Sequence, residues 1–465
     1  MRFLLLLFFA FIGIAQLSAD SMQSKETTPI EFHYRLTLTD KKENPFSISR
    51  PQEFLSEKSL ERRHRLGIKV DEHDLPITPL YLEQIRATGA TVLNCSKWNN
   101  TVQVAITDTT GTTLSKLQAL PFINSTLLVY STPENSDSFK KNIRRNVTKK
   151  LEYCASADSL YGYSQRQSDM LNLPALHTLG YKGEGMTIAI VDGGFNNADR
   201  IDAFKDTKIL GVRNFVRPDV AVYEEHAHGM MVLSCIAPHV KNSIVGTAPE
   251  ASFYLFVSED TFDEYRGEED NWCAAVELAD SLGVDVITSS LGYTHFDTPA
   301  VKMEYHWLDG NHELNSREAS LIASRGILLC NSAGNEGDSH WKKIGFPADG
   351  KDILTVGAVN SEGINTDFSS VGNTADGRIK PDAMAMGGQA TVLGTDGGIT
   401  KVNGTSFSCP ILAGAVTCLM QAHPDKKPEA IIDAIHRAGN NAEHPDNIYG
   451  YGVPDLIKAH ELLKN

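Results

Sequence analysis

The sequence has no CxxC pair, no excess of basic residues and only one long hydrophobic run, which lies at its N-terminus. Without CxxC spacing, a structural zinc site is not expected, and we assign no metal ligands. A net charge of −15 argues against nucleic acid and anionic membranes as partners, because both favour a basic surface. Fixed-period repeats and low-complexity tracts are also absent. With 41% hydrophobic residues, the chain is expected to be an ordinary globular protein with a sizeable core.

Cysteine is scarce, with seven residues in a chain of 465. These cysteines fit no tight disulfide framework, and their odd number leaves a monomer, the state we expect, with at least one free thiol. Cys330 closes the apolar run GILLC, and Cys418 lies in the apolar stretch that follows Ser406. Both are predicted to be small buried hydrophobic residues.

The N-terminal run has the layout of a secretory signal peptide. Arg2 precedes FLLLLFFAFIGIA, and the small and polar residues QLSAD follow, with Ala19 as the predicted last residue of the signal. The run is too short to span a bilayer comfortably, and an uncleaved signal anchor is the minor alternative. We therefore predict a signal peptide over residues 1–19, a periplasmic or extracellular location, and no transmembrane helix in the remainder.

Residues 30–130 carry a recognisable order of patterns. Strand, helix, strand, strand, helix and strand are predicted in turn for IEFHYRLTL, PLYLEQIRATG, ATVLNCSKW, TVQVAIT, TTLSKLQAL and INSTLLVY. This β-α-β-β-α-β order is that of a small α+β, ferredoxin-like unit, to which we assign residues 20–132. An added helix with charged faces is predicted within SRPQEFLSEKSLERRHRLGI.

The chain turns polar from residue 133 to 168. The stretch SFKKNIRRNVTKK holds six basic residues and few apolar ones. We interpret residues 133–168 as an exposed linker, where nicking is easiest. A charged surface helix remains the alternative.

Residues 169–465 alternate between strand and helix patterns. The runs MTIAIVD, ASFYLFV, VDVITSSLG, GILLCNSAG and ILTVGAV are rich in apolar and β-branched residues, as in strands buried on both faces. Helical patterns such as NWCAAVELADSLG and NSREASLIASRG separate them. The sequence therefore predicts an α/β domain of three layers, a parallel sheet with helices on both faces.

Four polar residues stand at junctions of these elements, where the functional groups of parallel α/β sheets gather. Asp192 and Asn335 follow strands, whereas His228 and Ser406 precede apolar helices. A serine hydroxyl needs a base, an imidazole has a suitable pKa, and a buried carboxylate fixes the tautomer of that imidazole. An asparagine amide and the backbone N–H at residue 406 could stabilise an oxyanion.

Each of these residues alone has a plainer interpretation. Asp192 before two glycines could belong to a turn or to a nucleotide-binding loop, although GxGxxG is missing. His226 and His228 form an HxH pair that could bind a metal, but no third ligand follows at a known spacing. Asn335 could be a turn former and Ser406 a helix cap. Their joint appearance favours the catalytic interpretation.

The order of the three residues along the chain narrows the choice. An α/β-hydrolase has the order Ser, acid, His, and a chymotrypsin-like enzyme has His, Asp, Ser. This chain has Asp, His, Ser, and it lacks the elbow GxSxG of lipases. Only the subtilisin order remains.

The blocks IAIVDGGF, HGMMVLS, SSLGY, SAGNEG and NGTSFSCP resemble the successive signature blocks of the subtilisin-like serine proteases, or subtilases. The resemblance extends from about residue 169 to the end of the chain. It implies a seven-stranded parallel sheet, with Asp192, His228 and Ser406 as the catalytic triad and Asn335 as the oxyanion donor. After Ser406 the family usually has Met-Ala-Ser-Pro, whereas this chain has FSCP, a change that removes no catalytic group.

The resemblance also implies a role for the N-terminal unit and a mode of substrate binding. Subtilases are typically made with a ferredoxin-like prodomain that assists folding and inhibits the enzyme until it is cleaved. Peptide substrates would bind as an added strand, and the small, uncharged pocket walls favour an apolar P1 residue. No cofactor is implied for catalysis, and calcium, which is frequent in the family, receives no assigned ligands. The implied substrate-binding residues are Ser290, Leu291 and Gly292 at the strand edge, and Ser332, Ala333 and Gly334 at the P1 pocket.

Three hypotheses for function follow from the sequence. The first is a secreted serine endopeptidase made as an autoinhibited zymogen, which acts on protein or peptide substrates and has its own prodomain as inhibitor. The second is an inactive binding protein on the same fold, and the third is a non-peptidase serine esterase. No triad residue is missing, which favours an active enzyme.

Overall fold

The computed structural model of the protein describes residues 30–132, 147, 149–154, 159–297 and 299–464. The signal peptide predicted over residues 1–19 and most of the basic stretch after residue 133 lie outside the described residues. Two folded domains are described below, the N-terminal domain (residues 30–132) and the C-terminal domain (residues 159–464).

The N-terminal domain has a four-stranded antiparallel sheet in the order β2-β3-β1-β4. Its strands are Phe32–Leu38 (β1), Thr91–Ser96 (β2), Thr101–Ile106 (β3) and Ile123–Ser131 (β4). Its helices are Glu57–Arg65 (α1), Pro79–Ala87 (α2) and Thr112–Gln118 (α3), with short 3-10 turns at Pro51–Glu53 and Glu72–Asp74. The β-α-β-β-α-β order and the added helix α1 agree with the sequence prediction.

One face of this sheet packs on α2 and α3, and the other packs against the C-terminal domain. Apolar residues such as Leu36, Val104 and Leu117 form the core on the first face. All six residues of β3 are buried, although only alternate ones are needed for that core. The sheet is therefore covered on both sides.

The C-terminal domain is built on a seven-stranded parallel sheet in the order β15-β14-β13-β10-β5-β9-β6. The strands of this sheet are Thr187–Asp192 (β5), Lys208–Asn214 (β6), Ser252–Val257 (β9), Val286–Ser289 (β10), Leu328–Ser332 (β13), Leu354–Val359 (β14) and Ala383–Met386 (β15). Three two-stranded ribbons are formed by His239–Val240 (β7) with Ile244–Val245 (β8), His295–Asp297 (β11) with Ala300–Lys302 (β12), and Ala390–Leu393 (β16) with Ile399–Val402 (β17).

Helices cover both faces of the parallel sheet, as the sequence predicted. The helices are Gln165–Asp169 (α4), Leu173–Thr178 (α5), His228–Ile236 (α6), Glu268–Leu282 (α7), Leu314–Ile322 (α8), Thr405–Ala422 (α9), Pro428–Ala438 (α10) and Leu456–Leu463 (α11), with 3-10 turns at Asp202–Phe204, Val222–Glu224, Tyr305–Trp307 and Ala323–Arg325. One core cluster includes apolar residues of α6 and α9, and a second includes those of α7 and α8. Alternate residues of the central strands point into one cluster or the other, which explains why these strands are apolar throughout.

The structure differs from the sequence prediction in residues 159–168. The sequence places them in an exposed linker, whereas Ser164, Gln167 and Ser168 are at most 2% exposed. Ser164 Oγ donates to the Val245 carbonyl at 2.8 Å, and Gln167 Oε1 accepts from the Thr391 N–H at 2.9 Å. Ser164 and Gln167 bond to backbone groups inside the C-terminal domain, so this buried segment has the polar composition of a surface segment.

Among the described residues, one helix is long and apolar enough to cross a membrane by length and composition alone. This is α9, and 83% of its apolar window is buried inside the protein. It is the central helix of the core beside β13, β14 and β10. Cys330 and Cys418 are fully buried, as predicted, and all seven cysteines are free thiols.

Candidate active site

Asp192 and His228 meet at the carboxyl end of the sheet. Asp192 is the last residue of β5 and is fully buried, and His228 is the first residue of α6. Nδ1 of His228 lies 2.8 Å from Oδ1 of Asp192 and 3.0 Å from Oδ2. The N–H of Gly193 donates to Oδ1 of Asp192 at 2.7 Å. The carboxylate therefore orients the imidazole through Nδ1 and leaves Nε2 as the free nitrogen.

The helix that carries His228 approaches the strand end closely because residue 229 is glycine. A Cβ atom at Gly229 would lie 2.7 Å from the carbonyl oxygen of Gly194 and 2.9 Å from Cβ of Asp192. Any larger residue would push α6 away from the end of β5. A glycine after His228 is thus required for the imidazole of His228 to come within hydrogen-bonding distance of Asp192.

The carboxylate also changes the proton affinity of the imidazole. Burial favours the neutral ring, but the charge of Asp192 and its hydrogen bond outweigh burial and raise the pKa of His228 above its ordinary value. The imidazole can therefore take a proton more readily than a free histidine. That property is required of a general base.

Ser406 lies in the first turn of α9, behind a glycine in an unusual conformation. Gly404 has a φ of 152°, which L residues with a side chain rarely adopt. Ser406 is 9% exposed, and its Oγ donates a long hydrogen bond of 3.5 Å to the Ser290 carbonyl. In return, Ser290 Oγ donates to the Ser406 carbonyl at 2.9 Å. The hydroxyl is thus held beside the strand end that carries Ser290.

His228 and Ser406 are neighbours, but they are not hydrogen-bonded. The ring of His228 lies 5.7 Å, between centroids, from the ring of Phe407. Among the hydrogen bonds of the described residues, none joins Nε2 of His228 to Oγ of Ser406. Such bonds are often long or misaligned without substrate and tighten when it binds.

Asn335 faces the start of α9 through its amide. Its Oδ1 accepts from the Thr405 N–H at 2.9 Å and from Thr405 Oγ1 at 3.0 Å. Because the amide oxygen is occupied by Thr405, the Nδ2 group is directed elsewhere, and within the described part of the chain it has no hydrogen-bond partner. In the described part of the chain, Nδ2 and the backbone N–H of Ser406 are the donors of this turn that have no hydrogen-bond partner.

The six predicted substrate-binding residues lie beside these groups. Ser290 and Leu291 continue from β10, and Gly292 is exposed at the end of that segment. Ser332 and Ala333 are buried at the end of β13, and Gly334 donates its N–H to Thr405 Oγ1 at 3.2 Å. The structure therefore brings all six residues to the same sheet edge as Ser406.

Two features near the site were not predicted from sequence. Thr405 is hydrogen-bonded to both Asn335 and Gly334, whereas only its neighbour Ser406 was predicted to be functional. His226, considered as one half of a metal-binding pair, instead accepts the backbone N–H of His228 on Nδ1 at 3.2 Å. Neither role has a sequence signal, because each depends on contacts made only after folding.

An acidic cluster lies close behind the end of β9. Carboxylate oxygens of Glu259, Glu264 and Glu268 lie within 4.8 Å of one another, and such oxygens could serve as ligands for a hard cation. Tyr293 Oη donates to Oε1 of Glu259 at 2.5 Å, so the cluster is partly satisfied by the protein itself. Burial raises the pKa of all three carboxyl groups, and the negative charge of neighbouring carboxylates raises these pKa values further.

Comparison with known proteins places this geometry in a family. Residues 183–452 match the model of the subtilase family of peptidases. The chain belongs to the subtilase family. Residues 33–147 match a second model, the propeptide domain of peptidase S8 proteins of Bacteroidota.

Individual subtilases are similar over most of the chain. Subtilisin NAT of Bacillus subtilis subsp. natto is 31% identical over 306 residues, which cover 65% of this chain and 70% of the relative. The human membrane-bound transcription factor site-1 protease is 26% identical and covers 63% of this chain and 27% of its own. The solved structure of the MycP3 protease from the type VII (ESX-3) secretion system matches with a TM-score of 0.51 at 19% identity, over 67% of this chain and 91% of its own. That likeness shows the fold.

Family membership establishes the general chemistry. The protein is a serine endopeptidase with an N-terminal propeptide domain, and subtilases need no cofactor for catalysis. The N-terminal domain described above is this propeptide domain, called the prodomain below, and the C-terminal domain is the catalytic domain.

Proposed function

We propose that this subtilase is an exported endopeptidase that hydrolyses peptide bonds with Asp192, His228 and Ser406 as its catalytic triad. The observation that carries the proposal is the paired hydrogen bond of His228 Nδ1 with the buried Asp192, beside the first turn of the helix that bears Ser406. Nε2 of His228 removes the proton of Ser406 as Oγ attacks the scissile carbonyl carbon. The imidazolium then protonates the leaving amine. Water attacks the acyl-enzyme with His228 again as the base, and the proton returns to Oγ of Ser406 as the acid product leaves.

The oxyanion of the tetrahedral intermediate is stabilised by Nδ2 of Asn335 and the backbone N–H of Ser406. The support is the pair of hydrogen bonds from Thr405 to Oδ1 of Asn335, which fixes the orientation of the Asn335 amide. A peptide strand pairs with the edge formed by Ser290, Leu291 and Gly292. Its P1 side chain enters the pocket beside Ser332, Ala333 and Gly334, whose small walls favour an apolar residue.

The protein is made as a zymogen with four parts. Residues 1–19 are a signal peptide for export to the periplasm or the extracellular space, residues 20–132 the inhibitory prodomain, residues 133–168 the segment that contains the cleavage site, and residues 169–465 the catalytic domain. The packing of residues 159–168 favours a cleavage site before residue 159.

Mass spectrometry of the purified protein with a fluorophosphonate probe tests the proposal. We expect one added label on the peptide that contains Ser406, a mature N-terminus within residues 133–158, and no label on the Ser406→Ala protein. Casein hydrolysis at a rate comparable with ester turnover is expected. Ester turnover without casein hydrolysis would favour an esterase, and no label at all would favour a binding protein.

Replacement of Asn335 by alanine tests the oxyanion role. Loss of one such donor costs about 2.7–4 kcal/mol of transition-state stabilisation, so we expect kcat to fall by about 10²–10³ with little change in KM. Asn311→Ala, in an exposed loop, is the control and should leave both constants unchanged. A large rise in KM with constant kcat for Asn335→Ala would contradict the assignment.

A further inference from the structure

The turn between β2 and β3 of the prodomain rests on a glutamate of α7. Glu277 accepts three hydrogen bonds from this turn, from Ser96 Oγ at 2.7 Å, from the Lys97 N–H at 2.7 Å and from the Trp98 N–H at 2.9 Å. Glu277 is 5% exposed, so the contact is almost dry. All three donors belong to the prodomain and leave with it.

A second glutamate, on α8, lies next to the first. Glu318 is fully buried, and its Oε2 accepts from Asn99 Nδ2, in the same turn, at 2.6 Å. Among the described residues no hydrogen-bond donor reaches its Oε1. Ser96 Oγ, which donates to Glu277, also accepts the backbone N–H of Asn99 at 3.0 Å, so one turn of the prodomain connects the two carboxyl groups.

The cations near this pair are engaged by other carboxylates. The charge of Lys97 lowers the pKa of both glutamates, and that of Arg325 lowers the pKa of Glu318, but burial outweighs these effects and raises both pKa values. Lys97 Nζ lies 3.4 Å from Asp280 Oδ2, and Arg325 Nη1 donates to Asp71 Oδ2 at 2.8 Å. Arg317 Nε contacts Oδ1 of Asn99 at 3.4 Å. The other titratable groups that face the pair are Lys41 and Cys95 of the prodomain and Cys273 of α7.

We propose that Glu277 and Glu318 share one proton that is taken up when the prodomain seats, so that the prodomain is held at acidic to neutral pH and released as the pH rises. With a proton on Glu318, its Oε1 donates to Glu277, and the orphaned oxygen gains a partner. Glu277 stays charged and accepts the three donors of the turn. Without that proton, two adjacent carboxylates would be buried with no cation between them, which is strongly unfavourable.

The direction of the pH dependence follows from proton linkage. Burial, and then the charge of Glu277, raise the pKa of Glu318 well above its usual range in the seated state. Once the prodomain leaves, α7 and α8 are open to water, and the pKa of Glu318 falls back towards the ordinary range of a glutamate. The seated state therefore binds more protons than the open state, so seating weakens as the pH rises between those two pKa values.

Hydrogen exchange in the full-length Ser406→Ala protein tests this without any need for proteolysis. We expect protection of the peptide that spans β2 and β3, corrected for the intrinsic rate, to fall by up to about tenfold per pH unit as the pH rises above the ordinary pKa range of a glutamate. Glu318→Gln keeps an amide donor for Glu277 but cannot titrate, so its protection should not vary with pH. Glu429→Gln, exposed in the first turn of α10, should keep the slope of the parent.

Constant or rising protection in the parent would overturn the proposal, as would an unchanged slope in Glu318→Gln. If Glu318→Gln fails to fold, the infrared carbonyl band of a protonated carboxyl group decides instead. Because other buried carboxyl groups contribute to this band, it is read from the difference between the parent and Glu277→Gln at pH 7, in which a loss of carbonyl absorbance in the variant must appear. The link from prodomain release to activation rests on the proposed function. Both measurements use the inactive Ser406→Ala chain, so the shared proton and the proposed protease activity are tested separately.

Discussion

Replacement of Ser406 by alanine is expected to lower kcat for peptide hydrolysis by about 10⁶-fold, with binding of substrate nearly unchanged. In the proposed mechanism Oγ of Ser406 forms the acyl-enzyme. The other two hydroxyls of the first turn of α9 are bonded elsewhere, Thr405 Oγ1 to Asn335 Oδ1 and Ser408 Oγ to the Thr405 carbonyl. The residual rate should come from the oxyanion donors and from substrate binding alone. Steady-state and single-turnover kinetics on a chromogenic peptide measure both constants.

The other two residues of the proposed triad should give a graded pattern that a structural role would not produce. His228→Ala is expected to cost as much as Ser406→Ala, and the double variant no more than either, because the residues act as a unit. Asp192→Asn should cost about 10⁴-fold, because the imidazole keeps its place but loses the correct tautomer. Additive losses in the double variant would contradict a shared mechanism. Ser324→Ala, at an exposed serine, is the control.

Replacement of Arg35 by methionine is expected to destabilise the seated prodomain by about 3–5 kcal/mol. Nε and Nη2 of Arg35 bind the Asp270 carboxylate at 2.6–2.9 Å, and Nη2 lies 3.0 Å from Glu269 Oε2. All three side chains are buried between β1 and the start of α7. Removal of the guanidinium leaves the buried Asp270 carboxylate without a close cation, and it leaves Glu269 with Arg266 alone, whose Nε lies 3.5 Å from Oε2 of Glu269. Urea unfolding of the full-length Ser406→Ala protein, followed by circular dichroism, measures the change.

An exposed ion pair of the same domain provides the control for that measurement. Arg50 Nε lies 2.7 Å from Glu53 Oε1 at the surface, so Arg50→Ala should change the free energy of unfolding by at most about 1 kcal/mol. Addition of Asp270→Asn to Arg35→Met should recover part of the loss, because the buried charge that Arg35 had paired is removed. Equal losses in Arg35→Met and Arg50→Ala would show that burial of the Arg35 pair contributes nothing to seating.

The sequence predicted those parts of the fold in which a run of neighbouring residues shows the pattern of burial. Strands such as β5 and β13 are apolar throughout because helices cover both of their faces, and that run of residues is visible in the sequence. The edge strands β6 and β15 were not predicted. β6 carries exposed residues on one side, and β15 has only alanine and methionine, which do not favour strands over helices.

The residues of the proposed site were selected from the sequence for a related reason. Asp192, His228, Asn335 and Ser406 each stand at a junction of elements, and their order along the chain is itself a signal. The hydrogen bonds of Thr405 to Asn335 and Gly334 could not be predicted from the sequence, since they join two loops that meet only in the folded protein.

The sequence by itself determined the two-domain plan, the parallel sheet and the residue types available for catalysis, because periodicity and turn chemistry act over a few neighbouring positions. The tertiary structure decided which polar side chains are buried. Arg35, Glu277 and Glu318 have the composition of an ordinary charged surface, yet they lie in a dry interface. Burial of a charge is set by what packs against it from distant parts of the chain, and no local pattern carries that information.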